Sequence, residues 1–178
     1  MSKIDSRPHK KRKLVFEGRR LTVYRDTVPI CGKDRIRDWI ARPKVSAMVV
    51  VTPKNKIVLV RQYRHGANAY LWEIPAGTVD QGELPRVCAK RETEEETGYK
   101  PKKLTSLGTF IVMPAESNGK VYLYIAIDLI KTKPNPDSDE ELEIREFNQT
   151  EIKRMLKQGK ISDAKSIIGL YRYFEKRS

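Results

Sequence analysis

Arg91-Glu92-Thr93-Glu94-Glu95-Glu96-Thr97-Gly98 gathers four glutamates at the end of one short segment. From Leu84 to Thr97 the chain has no glycine, carries Pro85 where a missing backbone N–H costs little, and stops at Gly98, a ready left-handed terminator. That punctuation predicts a helix. Glu92 and Glu96 lie four apart and Glu92 and Glu95 three apart, so all three share one face, a spacing that is repulsive unless a cation intervenes. Mg²⁺ or Mn²⁺ would suit, because hard ions prefer carboxylate oxygens and leave room for phosphate. The competing reading is an acidic helix end facing water.

A glycine-bearing turn, Gly77-Thr78-Val79-Asp80-Gln81-Gly82-Glu83, leads into this helix. Before it, Tyr70-Leu71-Trp72-Glu73-Ile74-Pro75-Ala76 reads as a strand that the proline stops. A carbonyl freed from the ladder at Ala76 would point where the carboxylates converge, and carbonyls are acceptable ligands for a hard ion. Val45 to Thr52 and Lys56 to Gln62, rich in valine and leucine, predict a hairpin of central strands around Pro53-Lys54-Asn55. Further strands are predicted at Leu104 to Val112, Val121 to Leu129 and Ile144 to Phe147, with an exposed loop over Lys131 to Asp139. Helices follow at Glu151 to Gln158 and Asp163 to about Glu175, the second with Ala164, Ile167, Ile168, Tyr171 and Phe174 at helical spacing, and it should cover the sheet. Near the N-terminus, Lys13 to Glu17 and Arg20 to Val28 predict two short strands joined near Gly18, with Arg35 to Arg42 a third extended piece. Their apolar members, Leu14, Phe16, Leu21, Val23, Ile36 and Trp39, are too few for a core of their own, so this accessory sheet needs a covering partner, the main domain or a second subunit.

The chain has 178 residues, enough to bury roughly two-thirds of its extended surface in one core, which argues for one compact domain with appended elements. Thirty-six Lys plus Arg against 23 Asp plus Glu give +13. The excess is partly concentrated in His9-Lys10-Lys11-Arg12-Lys13, with no interleaved aromatic stripe along the sequence, and it reads as a solvated basic surface rather than a nucleic-acid interface. No apolar run approaches the roughly 20 residues of a membrane span and no targeting signal appears, so a soluble, cytoplasmic protein is expected. Cys31 and Cys88 lack metal-ligand spacing, and Cys88 is expected on the inward side of the helix beside Leu84 and Val87.

The stretch from Gly77 to Tyr99 fits G-x5-E-x7-R-E-U-x-E-E-x-G-U, U being aliphatic, with Gly77, Glu83, Arg91, Glu92, Glu95, Glu96 and Gly98 in place. It resembles the signature of the Nudix hydrolases, with Thr93 where an aliphatic is usual, its methyl still able to face the sheet, and Tyr99 in the final apolar place. Arg61-Gln62-Tyr63-Arg64, Leu71-Trp72-Glu73-Ile74-Pro75-Ala76-Gly77 and Pro114 are similar to the ADP-ribose pyrophosphatase branch. The resemblance implies an α/β/α sandwich around a mixed sheet at residues 43–178 and an accessory strand region at 13–42 that forms a homodimer with shared pockets, while the basic residues ahead of it are expected to form a flexible tail at 1–12. It implies two or three Mg²⁺ ions, Mn²⁺ being an alternative, held by the Ala76 carbonyl, Glu92 and Glu96, with Glu95 close enough to take part. Arg91 would clamp Glu92 or its neighbours, and Glu83 would support them or serve as a peripheral ligand. The base would be a glutamate in the loop before the last core strand, where Glu140, Glu141 and Glu143 compete and Glu141 is preferred.

Arg61 and Arg64 are implied phosphate contacts, or else strand-end arginines facing water. Trp39 or Tyr63 would stack an adenine, or simply pack. Arg37 at a neighbouring subunit's pocket, Glu73 and Pro114 complete the implied substrate set. After Pro114 this chain has Ala115, Glu116 and Gly119, where ADP-ribose-active relatives show a glycine, an aromatic and a later glutamate. The implied activity is Mg²⁺-dependent hydrolysis of ADP-ribose, or a close nucleoside diphosphate derivative, to AMP and ribose 5-phosphate. The alternatives are an NDP-sugar, a dinucleoside polyphosphate or an RNA 5′ end as substrate, or a non-catalytic nucleotide- or RNA-binding module, whose mark would be lost helix carboxylates.

Overall fold

A computed structural model of the chain describes residues 9–19, 21–135 and 141–177. It divides into two compact units, Met1–Pro43 with Ile111–Lys120, and Lys44–Phe110 with Val121–Ser178. Among the described residues no helix is long and apolar enough to cross a membrane.

The first unit is an antiparallel sheet of β1 (Lys11–Glu17), β2 (Thr22–Ile30) and β3 (Lys33–Ala41). Cys31 and Gly32 link β2 to β3 with φ of 50° and 72°, and a two-residue turn with both central φ positive matches the twist of the flanking strands. That tight hairpin extends both strands beyond the expected limits at Val28 and Arg35. Arg20, the expected start of the second strand, lies outside the described residues. So do residues 1–8 of the expected tail, whereas Lys11 and Arg12 belong to β1. Segment 111–120 docks on β3, where the Ile40 N–H donates to the Glu116 carbonyl at 2.7 Å.

The second unit contains β4 (Val45–Val51), β5 (Ile57–Arg64), β6 (Ala69–Glu73), β7 (Ala76–Thr78) and α1 (Pro85–Thr97). It continues through β8 (Tyr99–Ile111), β9 (Lys120–Lys131), β10 (Glu143–Phe147), α2 (Gln149–Lys157) and α3 (Ala164–Arg177). The sheet runs β10-β5-β4-β9-β8; β4 and β9 are parallel, and β4–β5 and β5–β10 antiparallel. The expected hairpin between β4 and β5 forms, yet it pairs only at Val50–Val58 and Val51–Ile57 before the strands diverge. Into that wedge goes the segment expected as one strand. It splits at Ile74-Pro75, so that β6 pairs with β5 and β7 with β4.

Both faces of the sheet are covered. Met48, Val50 and Val58 pack with Ala89 of α1, while Val49 lies under Gly169 of α3. Neighbouring strand residues point to opposite faces, so α1 and α3 sandwich the sheet as the α/β/α expectation requires.

Three sequence expectations are corrected. Leu84 and Val87 do not point inward; they are 68% and 52% exposed, and the helix buries Cys88, Ala89, Thr93, Glu96 and Thr97. Small residues there allow α1 to approach closely, with the Ser46 hydroxyl donating to the Pro85 carbonyl at 2.7 Å. In α3 the buried set is Ser166, Gly169, Leu170 and Tyr173, while Ala164 and Tyr171 are exposed. A Cβ on Gly169 would lie 2.8 Å from Ile74 Cδ1, so the glycine sets the contact face that the larger side chains suggested wrongly. Finally, β8 starts at Tyr99, well before Leu104. It ends the sheet order, and an end strand tolerates Pro101, which lacks a backbone N–H.

Candidate active site

Antiparallel pairing positions Ala76. The Met48 N–H bonds to the Pro75 carbonyl, and the Val79 N–H to the Lys44 carbonyl. Pairs in such a ladder alternate between bonded and non-bonded, so Ala76 opposite Ala47 takes the non-bonded position and turns its polar groups away from β4. Its N–H donates to Glu96 Oε2 at 3.0 Å, and its carbonyl shares that edge. Next to it, Gly77 is required by contact: a Cβ there would lie 1.8 Å from Glu92 Cδ. The α1 carboxylates are thereby set directly against the backbone of β7.

Arg91 gathers the remaining acids. Its Nη1 donates to Glu92 Oε1 at 2.7 Å and Glu95 Oε2 at 2.9 Å, and its Nε and Nη2 to the Glu83 carboxylate at 3.2 and 3.1 Å. Nη2 also reaches the Thr78 carbonyl at 3.2 Å. Glu83 is itself set by the turn, accepting the Asp80 N–H at 3.1 Å. The Arg91 hydrogen bonds hold the Glu83 carboxyl below the usual carboxylate range, and the acids raise the guanidinium in turn. Cys88 is no nucleophile, since burial pushes its thiol up to about 12. In donor chemistry the group suits a hard divalent ion, being carboxylate oxygens with a backbone carbonyl beside them. Among the described residues, however, no three His, Cys, Asp or Glu side chains are arranged as a metal cage. The oxygens of Glu83, Glu92 and Glu95 converge on Arg91.

A second charged cluster adjoins Glu96. Glu73, 1% exposed, accepts Arg64 Nε and Nη2 at 2.8 and 2.6 Å and also Lys165 Nζ, which bonds Asp163 at 3.0 Å. Burial alone would raise Glu73, but the two cations outweigh it and its carboxyl lies below the usual range. The Glu73 hydrogen bonds raise Arg64, and the charge of Glu96 contributes. Asp163 also caps α3, accepting the Ser166 N–H at 2.9 Å, while the Ser166 hydroxyl takes the Ile74 N–H at 2.9 Å. The structure therefore brings Arg64, Glu73 and Glu96 together. Sequence reasoning missed Lys165 and Asp163: an Asp three residues before Ser166 marks a helix start, but nothing local marks the contact with Glu73.

The other predicted site residues are placed by their own elements. Arg61 and Tyr63 project from the face of β5 opposite Arg64, Arg61 bonding Glu143 at 3.2 Å and the Tyr63 hydroxyl donating to Asn68 Oδ1 at 2.6 Å. Glu143 opens β10, Glu141 is exposed just before it, and Glu140 lies outside the described residues. The preceding loop begins against α1: the Thr132 N–H donates to the Gly98 carbonyl at 2.7 Å and the Asn135 N–H to the Glu95 carbonyl at 2.8 Å. In the first unit, the Trp39 ring stacks on Tyr24 at 5.2 Å and its Nε1 donates to Asp26 Oδ2 at 3.0 Å. Arg37 is exposed and bonds the Ile36 carbonyl at 2.9 Å, and Pro114 sits in an exposed turn after Met113, whose φ is 51°.

A family profile described as NUDIX domain matches residues 42–168. A methanol dehydrogenase activator from Bacillus methanolicus is 34% identical over 96% of this chain and 94% of its own length. An ADP-ribose pyrophosphatase from Bacillus subtilis (strain 168) is 33% identical over 85% of this chain and 84% of its own. A crystal structure of an ADP compounds hydrolase superposes with a TM-score of 0.85 over 99% of this chain and 96% of its own, at 22% identity, a likeness of fold.

Proposed function

The chain belongs to the NUDIX family of hydrolases, and from that premise we propose that it cleaves the pyrophosphate of a nucleoside diphosphate derivative, ADP-ribose, to AMP and ribose 5-phosphate. The observation that carries the reading is the Arg91-centred acid cluster lodged against the backbone at Gly77, where a Cβ would collide with Glu92. The substrate choice is supported by the Bacillus subtilis relative.

Divalent metal ions are the general cofactors of this family. Here Glu92, Glu96 and the Ala76 carbonyl would hold Mg²⁺, with Glu95 alongside; when bound, such ions neutralise phosphate oxygens and lower the pKa of the attacking water. Arg91 keeps Glu92 and Glu95 in place through its hydrogen bonds, and Gly77 gives Glu92 its room. Arg64, held by Glu73 yet 37% exposed at its side chain, turns a guanidinium toward a substrate phosphate. Glu141 takes the proton from water as its oxygen attacks phosphorus and the bridging P–O bond breaks. Glu141 is exposed, two residues before β10 begins at Glu143, and the chain leading toward it is held to α1 at Asn135.

A second reading is action on behalf of a dehydrogenase, favoured by identity to the Bacillus methanolicus activator along 96% of this chain. Release of AMP from ADP-ribose, NADH, ADP-glucose and diadenosine polyphosphates, each with Mg²⁺, tests the substrate. Fastest turnover of ADP-ribose is expected. Preference for any other member overturns that choice, and stimulation of a dehydrogenase without AMP release favours the second reading.

A further inference from the structure

Along the chain the basic residues have no aromatic stripe between them, but sheet register assembles one in space. Phe147, Arg145 and Trp72 stand opposite Ile57, Leu59 and Arg61 of β5 and so share the face turned away from α1, whereas Glu73 and Val58 point the other way. On that face Trp72 meets Phe147 edge-on at 5.1 Å, and the Arg145 guanidinium lies 5.3 Å from the Phe147 ring centre.

Helix α2 forms the other wall of a half-open cleft. Asn148 and Glu151 form a reciprocal capping box, each side chain accepting the other's N–H at 2.8 Å. At the far end Gly159 turns left-handed, and the Gly159 and Lys160 N–H groups bond back to the Leu156 and Met155 carbonyls at 3.1 and 2.9 Å. The first device commits the Glu151 carboxylate to the backbone. The second folds Lys160 back beside Arg154 and Met155. The result is a cavity of about 270 Å³ lined by Trp72, Phe147, Met155, Glu151 and three cations, Arg145, Arg154 and Lys160. Among the described residues neither Arg154 nor Lys160 has an acidic side-chain partner within salt-bridge distance.

Three cations against the single carboxylate of Glu151, set beside an indole, select an anion that carries a flat ring. We propose that this cavity is a second ligand site, distinct from the carboxylate cluster, that takes a nucleoside monophosphate with its phosphate on Arg154 and Lys160 and its base against Trp72. Charge-assisted hydrogen bonds supply the phosphate affinity, and the aromatic wall separates a nucleotide from a bare phosphate ester.

The two tryptophans are Trp39 and Trp72, so a full-length Trp39→Phe chain reports on Trp72 alone. In chelator, AMP titration should shift its emission saturably, with ribose 5-phosphate and inorganic phosphate at least tenfold weaker. The added Arg154→Ala and Lys160→Ala substitutions, both at exposed positions, should weaken AMP at least tenfold. An emission that AMP leaves unmoved, equal affinity for ribose 5-phosphate, or unchanged affinity in the doubly substituted chain overturns the proposal. Should Trp39→Phe disturb folding, calorimetry on the chain with both tryptophans decides the matter: Lys160→Gln is expected to weaken AMP binding, and an affinity that it leaves unchanged overturns the proposal.

Discussion

At the scale of single residues, the site depends on one missing Cβ. Gly77→Ala places a methyl 1.8 Å from Glu92 Cδ, so the carboxylate must leave. Activity should fall on the order of 10²-fold, with about 1–3 kcal/mol of stability lost to overpacking, measured by initial rates and urea unfolding. Glu92→Gln and Glu96→Gln remove charge without removing bulk, and each should lower kcat by on the order of 10² while the fold persists, since the Gln amide oxygen can still accept the hydrogen bond from Arg91 or from the Ala76 N–H. Unchanged rates in both would refute the ligand assignment. Arg91 makes a pH prediction. It holds Glu83 below the usual carboxylate pKa, so that contribution to stability is present above the unfolded value, about 4, and is lost as pH falls through the folded one. Arg91→Gln should therefore be less stable than the parent at pH 7, the gap narrowing at pH 3, as urea unfolding at both values will show.

Among the elements, α1 has two tasks. Pro85 opens it and Gly98 closes it at φ 67°, and the closing glycine also seats the loop that leads to Glu141. A Cβ at Gly98 would lie 2.8 Å from Pro134 Cδ and 2.9 Å from Pro134 N, on a backbone conformation that side chains disfavour. Gly98→Ala should cost about 1–3 kcal/mol and reduce kcat more than it changes KM, because it disturbs the loop and leaves Arg64 alone. Steady-state kinetics with equilibrium unfolding would check both halves. A stable variant with parental kcat would detach the loop from the chemistry.

For the whole molecule, the first unit leaves Leu14, Phe16 and Ile36 between 48% and 62% exposed on a three-stranded sheet. Such a sheet has no core of its own and an edge open to pairing, so we expect a homodimer built through residues before Pro43. Light scattering should report a dimer for the full chain at micromolar concentration and a monomer for a chain beginning at Arg42. A monomeric full chain, or a truncated chain that stays dimeric with unchanged substrate affinity, would defeat this assignment.

What the amino-acid sequence determined by itself is local. The bounds of α1, the shared face of Glu92, Glu95 and Glu96, and the stop at Pro75 follow from cap chemistry and helical spacing, which act within about four residues. Periodicity also placed most of the strands. Tertiary structure alone decided which charges meet. The Arg91 cluster joins a turn to a helix, but Glu73 finds Lys165 ninety-two residues away, and no spacing rule reaches that far. It decided that Arg61 and Tyr63 leave the face that Arg64 occupies, because β5 alternates and its register with β6 and β10 settles which face meets α1. And it decided the face of α3, where Gly169 rather than the bulkier Ile167, Ile168 and Tyr171 makes the close contact, since packing rewards fit across the interface and not apolar bulk along one strip.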